Sequence, residues 1–164
     1  MFGNIFRKSE TQGKDIIVCS PVKGVTCPLS EVNDPVFSDK ILGDGVAVKP
    51  SCGRIVSPVD GTVALLFETL HAVNLITDQG MEVLVHVGLD TVNLKGKHFK
   101  AFVKKGDKVK TGDLLLEFDL EEMKAEGYDP ITPVLICNRA DYSEFLPVTG
   151  KTVEEAEKIL TVRK

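Results

Sequence analysis

The sequence predicts an all-β fold, an antiparallel sandwich or barrel with one or two short helices. Short runs of β-type residues recur along it, separated by punctuation such as Gly43-Asp44-Gly45, Val59-Asp60-Gly61, Lys105-Gly106-Asp107 and Thr111-Gly112-Asp113. A weak internal repeat supports the same class, because Ser20-Pro21-Val22-Lys23-Gly24 is echoed by Ser57-Pro58-Val59-Asp60-Gly61. The repeated proline suits a strand start at a sheet edge, where a missing N–H breaks no ladder bond.

In chain order, the strand candidates are 16–19, 22–27, 46–48, 54–56, 62–67, 71–77, 81–87, 101–103, 114–118, 134–138 and 159–162. The first and tenth carry the apolar runs Ile16-Ile17-Val18 and Val134-Leu135-Ile136, and 62–67 holds the apolar run Val63 to Phe67. Helix is scarce. Asp119 can cap Leu120 onward, with Glu122 three residues after it and Gly127 to close, which predicts a helix over 120–126. Residues 153–158 are helical by propensity, so a single helical turn is expected before the last strand.

Strands 71–77 and 81–87 flank the turn signal Asp78-Gln79-Gly80 and carry His71 and His86. Loop length decides whether these imidazoles meet. A two-residue loop makes them diagonal neighbours, and a four-residue loop sets them directly opposite, at Cβ separations of roughly 5–8 Å. A three-residue loop sends them to opposite faces. Met81, Val83, Val85 and Val87 form an unbroken apolar row, so His86 points away from the row that should be buried, towards a surface or cleft.

Length and composition suit one domain over 15–164, preceded by a flexible tail over 1–14. In the tail, Phe2, Ile5 and Phe6 followed by Arg7 and Lys8 would allow at most a peripheral membrane contact. The net charge of −4 argues against a nucleic-acid partner, whose phosphates need basic neutralisation. No apolar run is long enough to span a bilayer and no secretory signal is visible, so a cytoplasmic location is expected. Cys19, Cys27, Cys52 and Cys137 have no C-x-x-C spacing and read as small buried hydrophobes. The run Lys95, Lys97, Lys100, Lys104, Lys105, Lys108 and Lys110 reads as a solvated edge, with His98 exposed within it.

A histidine pair beside an apolar row suits phosphoryl relay. Imidazole has a pKa of about 6.5, so a neutral nitrogen is available near neutral pH, and its phosphoryl bond is unstable enough to pass the group on. The sequence has no P-loop and no kinase-like glycine-rich loop.

The segments Phe67-Glu68-Thr69-Leu70-His71-Ala72 and Gly80 to Val92 resemble the glucose family of enzyme IIA (EIIA) proteins of the bacterial sugar phosphotransferase system. Asp34-Pro35-Val36-Phe37, Leu42 to Pro50, Ser57 to Val63, Thr91 to Gly96, Val109 to Asp113 and Thr132-Pro133-Val134 fit as well. The resemblance implies an antiparallel barrel-sandwich hybrid with Greek-key and jelly-roll features, built from a duplicated motif. It implies a phosphotransferase component that takes phosphate from the histidine-containing phosphocarrier protein HPr and hands it to the IIB domain of a glucose-type permease. Some relatives also bind regulatory protein targets.

By the same resemblance His86 is the phosphorylated nucleophile and Gly88 supplies a carbonyl to its other ring nitrogen. His71 stabilises the phosphate, and Thr69 orients His71. Gly88 permits a close turn, the N–H groups of Asp90 to Val92 can form an anion nest, and Asp90 can instead meet a basic partner residue. Leu70 departs from the polar residue many relatives carry there. Phe37, Ile41, Leu42, Phe67, Leu84 and Val92 are candidates for an apolar apron around the pair. No cofactor is required on this reading, although zinc on His71 and His86 at a partner interface is conceivable. One rival is a biotinyl- or lipoyl-type carrier domain using Lys124 in Glu122-Met123-Lys124-Ala125. The other is a zinc-binding module on His71 and His86, which lacks a third convincing ligand.

Overall fold

A computed structural model describes residues 15–164, so the expected tail over 1–14 lies outside the described residues. The fold is mostly β. Its strands are β1 (Ile16–Cys19), β2 (Gly24–Cys27), β3 (Asp44–Pro50), β4 (Arg54–Val56), β5 (Gly61–Leu66), β6 (Ala72–Ile76) and β7 (Glu82–His86). The second set is β8 (Phe99–Ala101), β9 (Lys108–Val109), β10 (Leu114–Phe118), β11 (Thr132–Ile136), β12 (Glu144–Pro147), β13 (Thr152–Val153) and β14 (Lys158–Arg163). Two short α-helices, α1 (Pro35–Ser38) and α2 (Leu120–Ala125), and three 3-10 turns complete the described elements.

All strand pairs are antiparallel, in three sheets ordered β1-β14-β12, β4-β10-β8 and β13-β2-β3-β11-β7-β6-β5-β9. The long sheet is open, ending at β13 and β9, so no closed barrel forms. It reads as two four-stranded halves, β13-β2-β3-β11 and β7-β6-β5-β9, joined where β11 pairs with β7.

The internal repeat is built into this symmetry. Buried Ser20 donates its hydroxyl to the carbonyl of Val22 at 2.6 Å, and buried Ser57 does the same to Val59 at 2.7 Å. Cys19 N–H donates to the Pro58 carbonyl at 2.9 Å while Val56 N–H donates to the Pro21 carbonyl at 2.7 Å, a reciprocal exchange between the two copies of the repeat. Ser20 N–H reaches the Glu157 carbonyl and Ser57 N–H the Asp113 carbonyl, at 2.7 and 2.8 Å. The two prolines are therefore buried where the two copies of the repeat meet and not at a solvent edge. Their missing N–H is harmless because each contributes only its carbonyl to the exchange.

Apolar burial occurs on both faces of the long sheet. The larger core takes Val83, Val85, Met81 and Val87 together with Val46, Val48, Ile55, Leu116, Val134 and Leu160, all buried. A smaller core on the other face gathers Cys27, Leu29, Val32, Phe37, Ala47, Ala72, Leu84 and Leu135 under the segment that carries α1. The face bearing His86 is thus a second core with the histidines at its margin, which is why Leu84 is buried although it alternates with the main apolar row.

Three local expectations fail. No helical turn forms over 153–158, because the chain there is held by the β13 and β14 pairings and Ala156 adopts φ 64°, outside the helical region. His98 is only partly exposed, since its ring pairs with Glu126 and its carbonyl accepts from Asp119 N–H at 2.9 Å. Only Cys27 of the four free cysteines is fully buried, and Cys19, Cys52 and Cys137 are intermediate. The lysine run does form a solvated edge. Lys97 and Lys104 reach Glu126 and Asp107 at 3.2 Å, and Lys100 sits directly across from Glu117.

Candidate active site

His86 is the last residue of β7 and faces Ala72 across the β6–β7 pair. The connecting loop is Asp78-Gln79-Gly80, since Thr77 and Met81 close it with an N–H to carbonyl bond of 3.0 Å. Gly80 at φ 91° and the Thr77 hydroxyl, which accepts from Met81 N–H at 3.0 Å, fit a three-residue hairpin. By strict alternation this loop separates the histidines. They meet nonetheless, with ring centroids 4.8 Å apart and planes at 85°. The reason is that His71 precedes β6 and lies in the turn from β5, closed by Phe67 N–H to Ala72 carbonyl at 3.1 Å. Within it Leu70 adopts φ 60°, which breaks the pleat and frees His71 to turn its ring towards His86.

Each ring has a neighbour behind it. Thr69 Oγ1 lies 2.6 Å from His71 Nδ1, as expected for an orienting hydroxyl. Phe67 stands edge-on to His71 at 5.5 Å, and Phe37 of α1 packs against His86 at 4.9 Å and 58°. His71 is only 4% exposed. His86 is partly exposed, but its Nδ1 is enclosed and has no hydrogen-bond partner. The Gly88 backbone is near enough to favour a protonated ring, yet no bond of good geometry to it forms.

Burial favours the neutral form of both rings. Burial, helped by the proximity of His71, pushes the His86 pKa down to about 4, against opposing effects of the Gly88 backbone and the Asp34 charge. Burial also lowers that of His71.

Gly88 turns the chain after β7 at φ 80°, with its N–H on the Ile131 carbonyl at 2.9 Å. A Cβ there would lie 2.5 Å from Thr91 Cγ2 and 3.0 Å from the Asp129 carbonyl, so only glycine fits. Asp90 is exposed at φ 59° and leads the 3-10 turn Thr91–Leu94, in which Val92 is exposed. Among the apron candidates, Ile41 (66%), Val92 and Leu42 are exposed, Phe37 and Leu84 belong to the core, and Phe67 is partly buried.

Asp34 was not singled out by the sequence reading. It caps α1, accepting from Val36 N–H at 3.0 Å, and its charge reaches His86. The signal was available in Asp34-Pro35, an N-cap acid followed by proline in the first helical turn. Lys124 lies exposed on α2 beside buried Met123, so it does not occupy the hairpin tip that a swinging arm requires. Among the described residues no group of three or more His, Cys, Asp or Glu side chains is placed to hold a metal. None of the helices described is long and apolar enough to cross a membrane.

Comparison with known proteins agrees with this arrangement. The family described as phosphoenolpyruvate-dependent sugar phosphotransferase system, EIIA 1, matches residues 16–142. A glucose-specific EIIA component of the phosphotransferase system from Oceanobacillus iheyensis is 47% identical over 157 residues, covering 94% of this chain and 95% of that protein. A beta-glucoside-specific EIIBCA component from Bacillus subtilis is 52% identical over 92% of this chain, which spans only 25% of that longer protein. The solved glucose permease IIA from Mycoplasma capricolum superposes with a TM-score of 0.83 at 33% identity, over 90% of this chain and 96% of that one. With a histidine pair at the heart of a duplicated β framework, this chain belongs to the EIIA 1 family of the phosphoenolpyruvate-dependent sugar phosphotransferase system and is a glucose-type phosphoryl-carrier domain.

Proposed function

We propose that His86 accepts the phosphoryl group from phosphorylated HPr and passes it to the IIB domain of a glucose-type sugar permease, in the cytoplasm. The observation that carries this assignment is a histidine with one nitrogen enclosed, set against a second imidazole at 4.8 Å. With Nδ1 enclosed, Nε2 is the nitrogen that attacks phosphorus. The donor's N–P bond breaks as the Nε2–P bond forms, with charge spread over the phosphoryl oxygens.

His71 supplies the charge stabilisation. If the Thr69 hydroxyl donates to His71 Nδ1, the imidazole proton sits on Nε2 and is presented to a phosphate oxygen. The N–H groups of Asp90 to Val92 would add donors beyond the Gly88 turn, and Asp90 would meet a basic group on a partner. Exposed Ile41, Leu42 and Val92 would supply apolar surface against which HPr and IIB exclude water. The transfer needs no cofactor on this reading. Zinc on His71 and His86 would need a further donor from a partner, because a zinc site usually takes three or four protein ligands.

Labelling with phosphoenolpyruvate and the general phosphotransferase components tests the assignment. The label should map to His86 through an acid-labile, base-stable bond, and His86→Ala should remain folded and unlabelled. Label on another residue, or persisting in that variant, would overturn it.

A further inference from the structure

On the enclosed edge of the His86 ring the Gly88 backbone is close, but Nδ1 makes no well-formed hydrogen bond to it. Packing therefore shares in setting its orientation. Two rings touch it: His71 at 4.8 Å and Phe37 at 4.9 Å. His71 is backed by Phe67 and tied to Thr69, so that wall is built from the β5–β6 turn. The other wall comes from a different part of the chain, α1, a single helical turn. Phe37 is 3% exposed, whereas its neighbours Val36 and Ile41 face solvent. Asp34 caps the turn, and Pro35 pre-sets its first φ. The helix is too short to persist alone, so its place depends on Phe37 inserting into the smaller core.

We propose that Phe37 is a positioning residue for His86, clamping the imidazole against His71 so that one nitrogen is aimed outward and the other stays dry. The inference rests on His86 being the phosphoryl acceptor. It differs from a partner-docking role, because Phe37 acts on the free protein. Removing the ring lets the imidazole rotate and lets water reach Nδ1. Asp34 and His71 are the charged or titratable groups that act on His86; Asp34 moves with α1, so Phe37→Leu, which keeps most of the apolar volume, is the variant that isolates the ring.

Two measurements on the folded full chain decide the matter. Loading from phosphorylated HPr is followed by quench-flow over a range of donor concentrations, for the wild type, Phe37→Leu and Phe37→Ala. Misplacing a reacting group by about 1 Å can cost on the order of a hundredfold, so the saturating rate should fall by about tenfold or more. The half-saturating donor concentration should stay within about twofold in the same series. Separately, imidazole nitrogen NMR on the unphosphorylated protein should show the His86 titration midpoint moving up in the variants as water enters. Phe37→Leu keeps most of the apolar volume and decides the question if Phe37→Ala does not fold. A wild-type saturating rate with a raised half-saturation would overturn the inference in favour of docking, and an unchanged His86 titration would also overturn it. Label absent from His86 in the wild type would sink the proposed function instead, and the titration would still report whether Phe37 holds the ring.

Discussion

The carbonyl of His71 accepts from the N–H of Val87 at 2.7 Å, so the backbone places His71 beside a residue of the main core while its ring lies against His86. Backbone register and side-chain direction are uncoupled at this one position. The uncoupling depends on Leu70, whose φ of 60° lies where a leucine side chain crowds its own backbone.

Leu70→Asn should therefore stabilise the protein, by up to about 1 kcal/mol, because asparagine tolerates the left-handed region far better than leucine does. Leu70→Ile should cost at least that much, since a β-branched side chain is stiffer there. Chemical denaturation of the two variants checks the order. Equal midpoints would mean that the turn is not under strain.

Thr69→Val should leave the fold intact and free the His71 ring. The hydroxyl lies 2.6 Å from Nδ1, and losing one such bond is worth about 1 kcal/mol, or roughly a fivefold loss in transfer rate. Thr69→Ser should restore the rate. A valine variant that transfers normally would show that the hydroxyl does not set the tautomer.

Much of this architecture was legible in the residues, and the exceptions have physical causes. β1, β4 and β10 match the expected bounds because β-branched and apolar runs end at clear turn signals. β9 and β13 are two-residue strands that exist only through pairing with β5 and β2, so no local pattern announces them. β12 contains Pro147 and pairs only with β14 at the margin of its sheet, which hides it from a periodicity argument. The glutamates around Ala156 favour helix, yet Ala156 N–H is taken by the Ser20 carbonyl at 2.8 Å. For the histidine pair loop length misleads, because the three-residue loop that forms would separate the rings and a single left-handed residue, Leu70, outweighs that register. The contact of Phe37 with His86 could not be read locally at all, since it joins elements about fifty residues apart in sequence.

Gly88→Ala should be severely destabilising, by roughly 2 kcal/mol or more. The added Cβ meets Thr91 Cγ2 at 2.5 Å and the Asp129 carbonyl at 3.0 Å, in a backbone conformation that L-residues avoid. Loading should fall with it, because the turn fixes the end of β7. A drop in thermal midpoint checks the first part. A variant as stable as the wild type would show that the turn can relax.

Stability should decline as pH falls. His86 titrates near 6.5 when unfolded and at about 4 when folded, so between those values the unfolded chain takes up a proton that the folded chain refuses. The contribution is fully present above pH 6.5 or so and is lost as pH drops towards 4, at most about 3 kcal/mol in all. The lowered pKa of His71 adds in the same direction. Denaturation midpoints for the wild type and His86→Phe, compared between pH 7 and 4.5, isolate the effect. The variant should show the flatter profile, and parallel profiles would mean that His86 is not held neutral by the fold.

The two histidines should separate kinetically. His71→Gln keeps a hydrogen-bond donor near the phosphate but loses the imidazole's charge and proton. His86 should still be labelled in that variant. Onward transfer to the IIB domain should fall by a larger factor than loading, because the transition state needs more charge compensation than the stable phosphohistidine does. Quench-flow rates for both half-reactions measure the difference. Equal losses in both directions would place His71 in docking or structure. Complete failure to load would exchange the roles, making His71 the acceptor and leaving the enclosed Nδ1 of His86 without a part in the chemistry.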